Sequence, residues 1–192
     1  MVKTQFISRL APWLLPVLLS AAGMFLGYEW GSVTAGLLGG EPGIWARLGK
    51  GFIWGLLIAG LQWPIIRSVG VLPVWFLVAS SVSFAIGYPL GQTIQAIMVI
   101  HWSSHWMWGY GSALATFGLF LGLPQWWILR QHLQRAGFWI LCSVIGWILT
   151  GVAWINFGAN SGVDALVYGV VTGLGLVWLA HSREPKVKNQ ST

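Results

Sequence analysis

An all-α integral membrane protein, with six transmembrane helices built as three parallel two-helix repeats and both termini cytoplasmic, is the architecture this sequence specifies. Charged residues make up 7% of the 192 and hydrophobic ones 56%, whereas a soluble domain carries about 25% charge to build its solvated skin. Apolar runs of roughly 20 residues, enough to cross hydrocarbon as a helix, recur along the whole chain, and one of them is written twice in nearly the same letters. Mean hydropathy is +0.73. A disordered chain is excluded too, because it would be poor in apolar residues and rich in charge.

The runs predict spans at 11–29, 45–67, 72–91, 107–130, 137–156 and 163–181 within one transmembrane domain, 1–182. The first follows Lys3 and Arg9 and contains Ser20-Ala21-Ala22, a pattern shared with cleaved signal peptides. Its likeness to later spans marks it as retained. Between spans three and four, residues 92–106 are too polar at their ends for a seventh span and too apolar for a free loop. They are expected to lie flat at the outer interface, with Trp102, Trp106 and Trp108 at headgroup depth. Residues 183–192 read as a polar cytoplasmic tail.

Residues 55–67 (GLLIAGLQWPIIR) and 118–130 (GLFLGLPQWWILR) share Gly, Gln-Trp, Ile and Arg at equal offsets, and 169–181 keeps the glycine without the Gln and Arg. Spans one, three and five resemble each other in running from a Trp (Trp13, Trp75, Trp139) towards a glycine-rich end. Each pair of spans is then one hairpin, and successive hairpins keep the same orientation about an axis along the membrane normal. Lipid gives no hydrophobic drive for helix association, so close packing has to supply it. Gly23-x3-Gly27-x3-Gly31, Gly87-x3-Gly91, Gly55-x3-Ala59, Gly118-x3-Gly122 and Gly169-x3-Gly173 provide smooth strips for that purpose.

Basic residues set the orientation. With the N-terminus inside, Lys3, Arg9, Arg67, Arg130, Arg135, Arg183, Lys186 and Lys188 are cytoplasmic, and only Arg47 and Lys50 are outside. The net charge of +6 therefore reads as membrane topology. Nucleic-acid binding would need clustered basic residues on a solvated face, and none is expected. The lone Cys142 permits no intrachain disulfide.

The candidate ligand or partner contacts are Gln62, Trp63, Arg67, Gln125, Trp126 and Arg130. Trp63 with Arg67, and Trp126 with Arg130, stand four apart and share a helix side, which suits a cation–π contact near the headgroups. Gln62 and Gln125 lie more than a turn deeper, so each amide is expected to face protein, bonded to the other or to neighbouring backbone. Fifteen tryptophans, Trp54 and Trp147 among them near mid-span, offer flat packing surface for helices, a pigment or a lipid. His101 and His105, spaced i, i+4, are weak metal candidates without a third ligand nearby. His132 and His181 read as residues of the inner edge. No metal or cofactor is predicted.

Enzyme readings fail on geometry. Gly109-Tyr110-Gly111-Ser112-Ala113 resembles the nucleophile loop of rhomboid-type intramembrane proteases, but Ser112 lies near the outer face and His181 near the inner one. A base must reach its nucleophile. Glu29 and Asp164 sit at outer helix ends and form no intramembrane carboxylate pair.

The repeated G-(x6)-Q-W-x-x-[IL]-R, followed by a Trp-containing helix, resembles bacterial multi-pass membrane proteins, cyanobacterial ones among them. The likeness covers spans two to five, with span six as a degenerate copy. It implies architecture alone and no activity; a bacterial plasma membrane is the default location, with a photosynthetic membrane as the alternative. From the residues the expected function is non-enzymatic: an accessory, assembly or stabilising subunit of a larger membrane complex, with the bilayer and a membrane protein as partners. The alternative is a small-molecule or lipid-binding membrane protein, for example a vitamin-uptake binding subunit.

Overall fold

The computed structural model describes residues 2–40, 43–68, 70, 73–101, 106–158 and 162–182. They form six helices: α1 (Val2–Leu37), α2 (Ile44–Ser68), α3 (Pro73–His101), α4 (Trp106–Leu129), α5 (Phe138–Phe157) and α6 (Val163–His181). All six are long and apolar enough to cross a membrane. Their outer faces are lined by exposed side chains such as Leu14, Leu18, Val78, Ile145 and Leu174, an apolar skin that water would penalise and lipid accepts.

Each helix packs on its neighbours in sequence, and α1 closes onto α6, so the bundle is a six-membered ring. Inside it, Met24, Trp54, Phe84, Phe117, Trp147 and Tyr168, one residue from each helix, belong to a single buried cluster. Trp147 is the hub, its ring centroid 5.2 Å from those of Trp54 and Phe84, 5.3 Å from Phe117 and 5.7 Å from Tyr168. Trp54 and Trp147 thus fill the axis of the ring. Trp54, Phe117 and Tyr168 each stand immediately before the glycine that opens a copy of the repeated motif.

Those glycines bring the helices together. A Cβ on Gly55 would stand 2.6 Å from the Ser80 carbonyl oxygen, one on Gly118 2.6 Å from Val144 Cα, and one on Gly169 2.5 Å from the Val17 carbonyl oxygen. Each motif glycine therefore abuts the next odd-numbered helix around the ring, α3, α5 and α1 in turn. Three buried hydroxyls within the helices are satisfied locally: Ser80, Thr150 and Thr172 donate to the carbonyls of Phe76, Gly146 and Tyr168, four residues back.

Spans two, four, five and six lie within a residue of the expected bounds, but α1 and α3 are longer. α1 continues past residue 29 to Leu37, Ser32 and Thr34 bonding back to the Tyr28 and Trp30 carbonyls, and the chain then turns through Gly39 and Gly40 at φ of 97° and 76°. α3 runs through Gly91 to His101, so the segment expected to lie flat from residue 92 is, as far as 101, a continuation of the helix. Residues 102–105 and the tail 183–192 lie outside the described residues.

Candidate functional site

At the end of the ring formed by the C-termini of α1, α3 and α5, the axis opens into a cavity of about 300 Å³ walled by five helices. Trp54 and Phe117 form its floor, on top of the aromatic plug, while Tyr28, Tyr88, Tyr110, Gln92 and Gln95 supply polar walls. This cavity is a vestibule with a closed bottom. Lys50 reaches into it from α2 and is only 6% exposed. Its ammonium lies 4.8 Å from the centroid of Tyr28 and 5.5 Å from that of Tyr88, within the range of a cation–π contact. Gly31 makes room for this residue, since a Cβ there would stand 3.0 Å from the Lys50 carbonyl oxygen.

Trp154 lines the same cavity, stands edge-on to Tyr28 at 6.3 Å, and donates its indole N–H to Asp164 Oδ2 on α6. Asp164 is buried, and its Oδ1 has no hydrogen-bond partner. The ring thus carries a buried cation and a buried carboxylate at one end, both held by aromatic groups. Sequence reasoning used Lys50 only as a marker of topology and set Asp164 aside as a carboxylate at an outer helix end. The signal was present: Lys50 falls inside a span, and three of the four tyrosines, Tyr28, Tyr88 and Tyr110, cluster at one end.

The six residues singled out from the repeat do not converge. Gln62 and Gln125 are fully buried, but they bond neither each other nor backbone. Gln62 Nε2 donates to Ser20 Oγ at 3.2 Å, and Gln125 Nε2 to Ser80 Oγ at 2.9 Å, each tying an even-numbered helix to the one before it. Gln125 Oε1 also accepts from the Trp139 indole at 2.7 Å. Gln62 Oε1 lies beside the Tyr168 hydroxyl without reaching hydrogen-bond geometry, and neither atom has another partner. Trp139 is buried, whereas Trp75 is 63% and Trp13 45% exposed, so these three tryptophans share a place in the sequence pattern and not an environment.

Arg67 and Arg130 are exposed and Trp63 and Trp126 half-buried at the opposite end of the ring. Arg130 lies 5.1 Å from the centroid of Trp126, as the spacing predicts, and closer still, 3.5 Å, to that of Trp127. Trp63 and Arg67 form no such stack. Ser112 hydrogen-bonds the Gly109 carbonyl near the start of α4, and His181 contacts the Val177 carbonyl and stacks on Trp13 at the far end. These two cannot meet. The backbone of His101 ends α3, its side chain and all of His105 lying outside the described residues, among which no three His, Cys, Asp or Glu residues gather.

No family model, curated protein or solved structure matches the chain.

Proposed function

We propose that the protein is a non-enzymatic membrane protein that receives a small amphiphilic molecule in the axial vestibule. One observation carries this reading: Lys50, buried against Tyr28 and Tyr88, lines a polar cavity open at one end and floored by packed rings. A buried ammonium is costly unless its surroundings compensate, and ligand sites combine apolar walls with a few placed polar groups. Lys50 holds an anionic or hydrogen-bond-accepting group of the ligand, and the aromatic walls take its apolar body. The closed floor suits binding rather than conduction.

The three hairpins are parallel repeats about an axis normal to the membrane, a reading supported by the convergence of Trp54, Phe117 and Tyr168 on Trp147. Both termini are cytoplasmic, because the end bearing Arg67, Arg130 and Arg135 is the basic one, and the vestibule faces outward. A bacterial plasma membrane is the proposed location, a reading supported by the resemblance of the repeated motif to bacterial multi-pass proteins.

Native mass spectrometry after gentle detergent extraction tests the binding reading. A low-mass molecule retained by the wild type and lost from Lys50→Met is the expected result. Co-migrating subunits with no retained molecule would favour an accessory or assembly subunit and overturn ligand binding.

A further inference from the structure

We propose a second, separate binding site: a groove on the lipid-facing side of the ring, between α3 and α4, that holds one anionic phospholipid, its phosphate at Arg130 and one acyl chain along the groove. Two adjoining hollows of about 680 and 500 Å³ share Val78, Ala79 and Pro124 and so form one groove. The groove exists because the side chains flooring it on α3, Ala79 and Ser83, are short.

Two features identify the occupant. The groove follows α3 from Trp75 to Ile86, eleven residues or about 17 Å at 1.5 Å per residue. One leaflet, half of a hydrocarbon core of roughly 30 Å, has nearly this depth. At the end of the groove the lining turns polar, with Gln131 and His132, and Arg130 lies over the face of Trp127, itself part of the wall. An apolar trough of single-leaflet length ending in a cation fits a negatively charged headgroup above an acyl chain, because Arg pairs with phosphate through paired N–H donors.

The same arrangement recurs at this end of the ring. Between α5 and α6 a groove of about 450 Å³ is walled by Phe138, Ile145 and Trp178, and Arg135 lies 5.7 Å from the Trp178 centroid. The α3/α4 groove is the longer, and its cation–aromatic pair is the closer.

Delipidated wild-type protein in neutral detergent, titrated with phosphatidylglycerol and with phosphatidylcholine of identical chains and followed by native mass spectrometry, tests the assignment. Phosphatidylcholine carries the same phosphate, but its choline ammonium offsets that charge and is repelled by Arg130, so phosphatidylglycerol should bind about tenfold more tightly at the first site. Arg130→Gln should remove most of that preference. Ala79→Phe should weaken both lipids alike and leave their ratio unchanged. Equal affinity of the two lipids for the wild type overturns the proposal without recourse to any variant. So does an undiminished preference in an Arg130→Gln protein whose thermal unfolding matches the wild type.

Discussion

Gln62 and Gln125 occupy the same position of the repeated motif, yet replacing each by Leu should have unequal consequences. In Gln125→Leu the Trp139 indole N–H, fully buried, loses its acceptor at 2.7 Å, and Ser80 loses a donor while still giving its own proton to the Phe76 carbonyl. An orphaned buried donor costs about 1–3 kcal/mol, and an interhelical hydrogen bond in a membrane protein averages about 0.6 kcal/mol. Taken towards the lower end of that range, the two together cost about 2 kcal/mol. Gln62→Leu loses only the longer 3.2 Å bond to Ser20 and removes an oxygen that is already buried without a partner, so gain and loss nearly cancel. For a chain of this size about 2 kcal/mol corresponds to a fall in Tm of roughly 4–8 °C. Thermal unfolding in detergent, followed by tryptophan fluorescence, should show that fall for Gln125→Leu and a change under about 2 °C for Gln62→Leu. Adding Trp139→Phe to Gln125→Leu removes the orphan and should recover part of the loss, a coupling that a double-mutant cycle measures. Equal shifts for the two single variants would refute the reasoning.

Gly118→Ala should destabilise by about 1–3 kcal/mol, because its Cβ meets backbone at Val144 and Ser143 that cannot rotate away, whereas Gly36→Ala, with nothing within 4 Å, should raise Tm through the helix propensity gained. The same melts check both, and shifts of one sign would count against the glycine contacts. Cys142, 5% exposed and unpaired, should resist a hydrophilic maleimide in the native micelle and react fully in SDS; rapid native labelling would show α5 and α6 parting. In a Cys142→Ala background on intact cells, an impermeant maleimide should label Ile44→Cys, exposed at the vestibule end of α2, and spare Gln131→Cys, at the lipid groove. The reverse pattern would invert the orientation and exchange the compartments of both sites.

Hydropathy and spacing made the span count and four of the six helix ranges legible, because lipid imposes length and apolarity directly. They misjudged α3 at the place where the vestibule begins. Gln92 and Gln95 look too polar for a span, yet both line the cavity and so impose no lipid penalty. Ser32 and Thr34 disguised the end of α1 in a similar way by bonding their own helix. The burial of Gln62 and Gln125 followed from the cost of an amide in hydrocarbon, but Ser20, Ser80 and Trp139 as partners depend on helix rotation, which apolar patterning does not encode when lipid and core are equally greasy. The Arg130 stack was readable from i, i+4 spacing, and its closer approach to Trp127 was not.

The motif glycine and the residue before it divide the work of building the ring. Successive residues on a helix point about 100° apart, so a glycine turned to the neighbouring helix leaves the preceding side chain turned elsewhere, and in this ring it is turned inward. Trp54-Gly55, Phe117-Gly118 and Tyr168-Gly169 all obey this rule, the glycines at the walls and the rings around Trp147. One dipeptide thus closes an interface and contributes one of the four aromatic rings around the hub. The three residues differ, Trp, Phe and Tyr, and Trp147 of α5 packs against all of them at the axis. The plug in turn gives the vestibule its floor, so the position that makes the repeat pack is also the one that ends the cavity at Trp54 and Phe117.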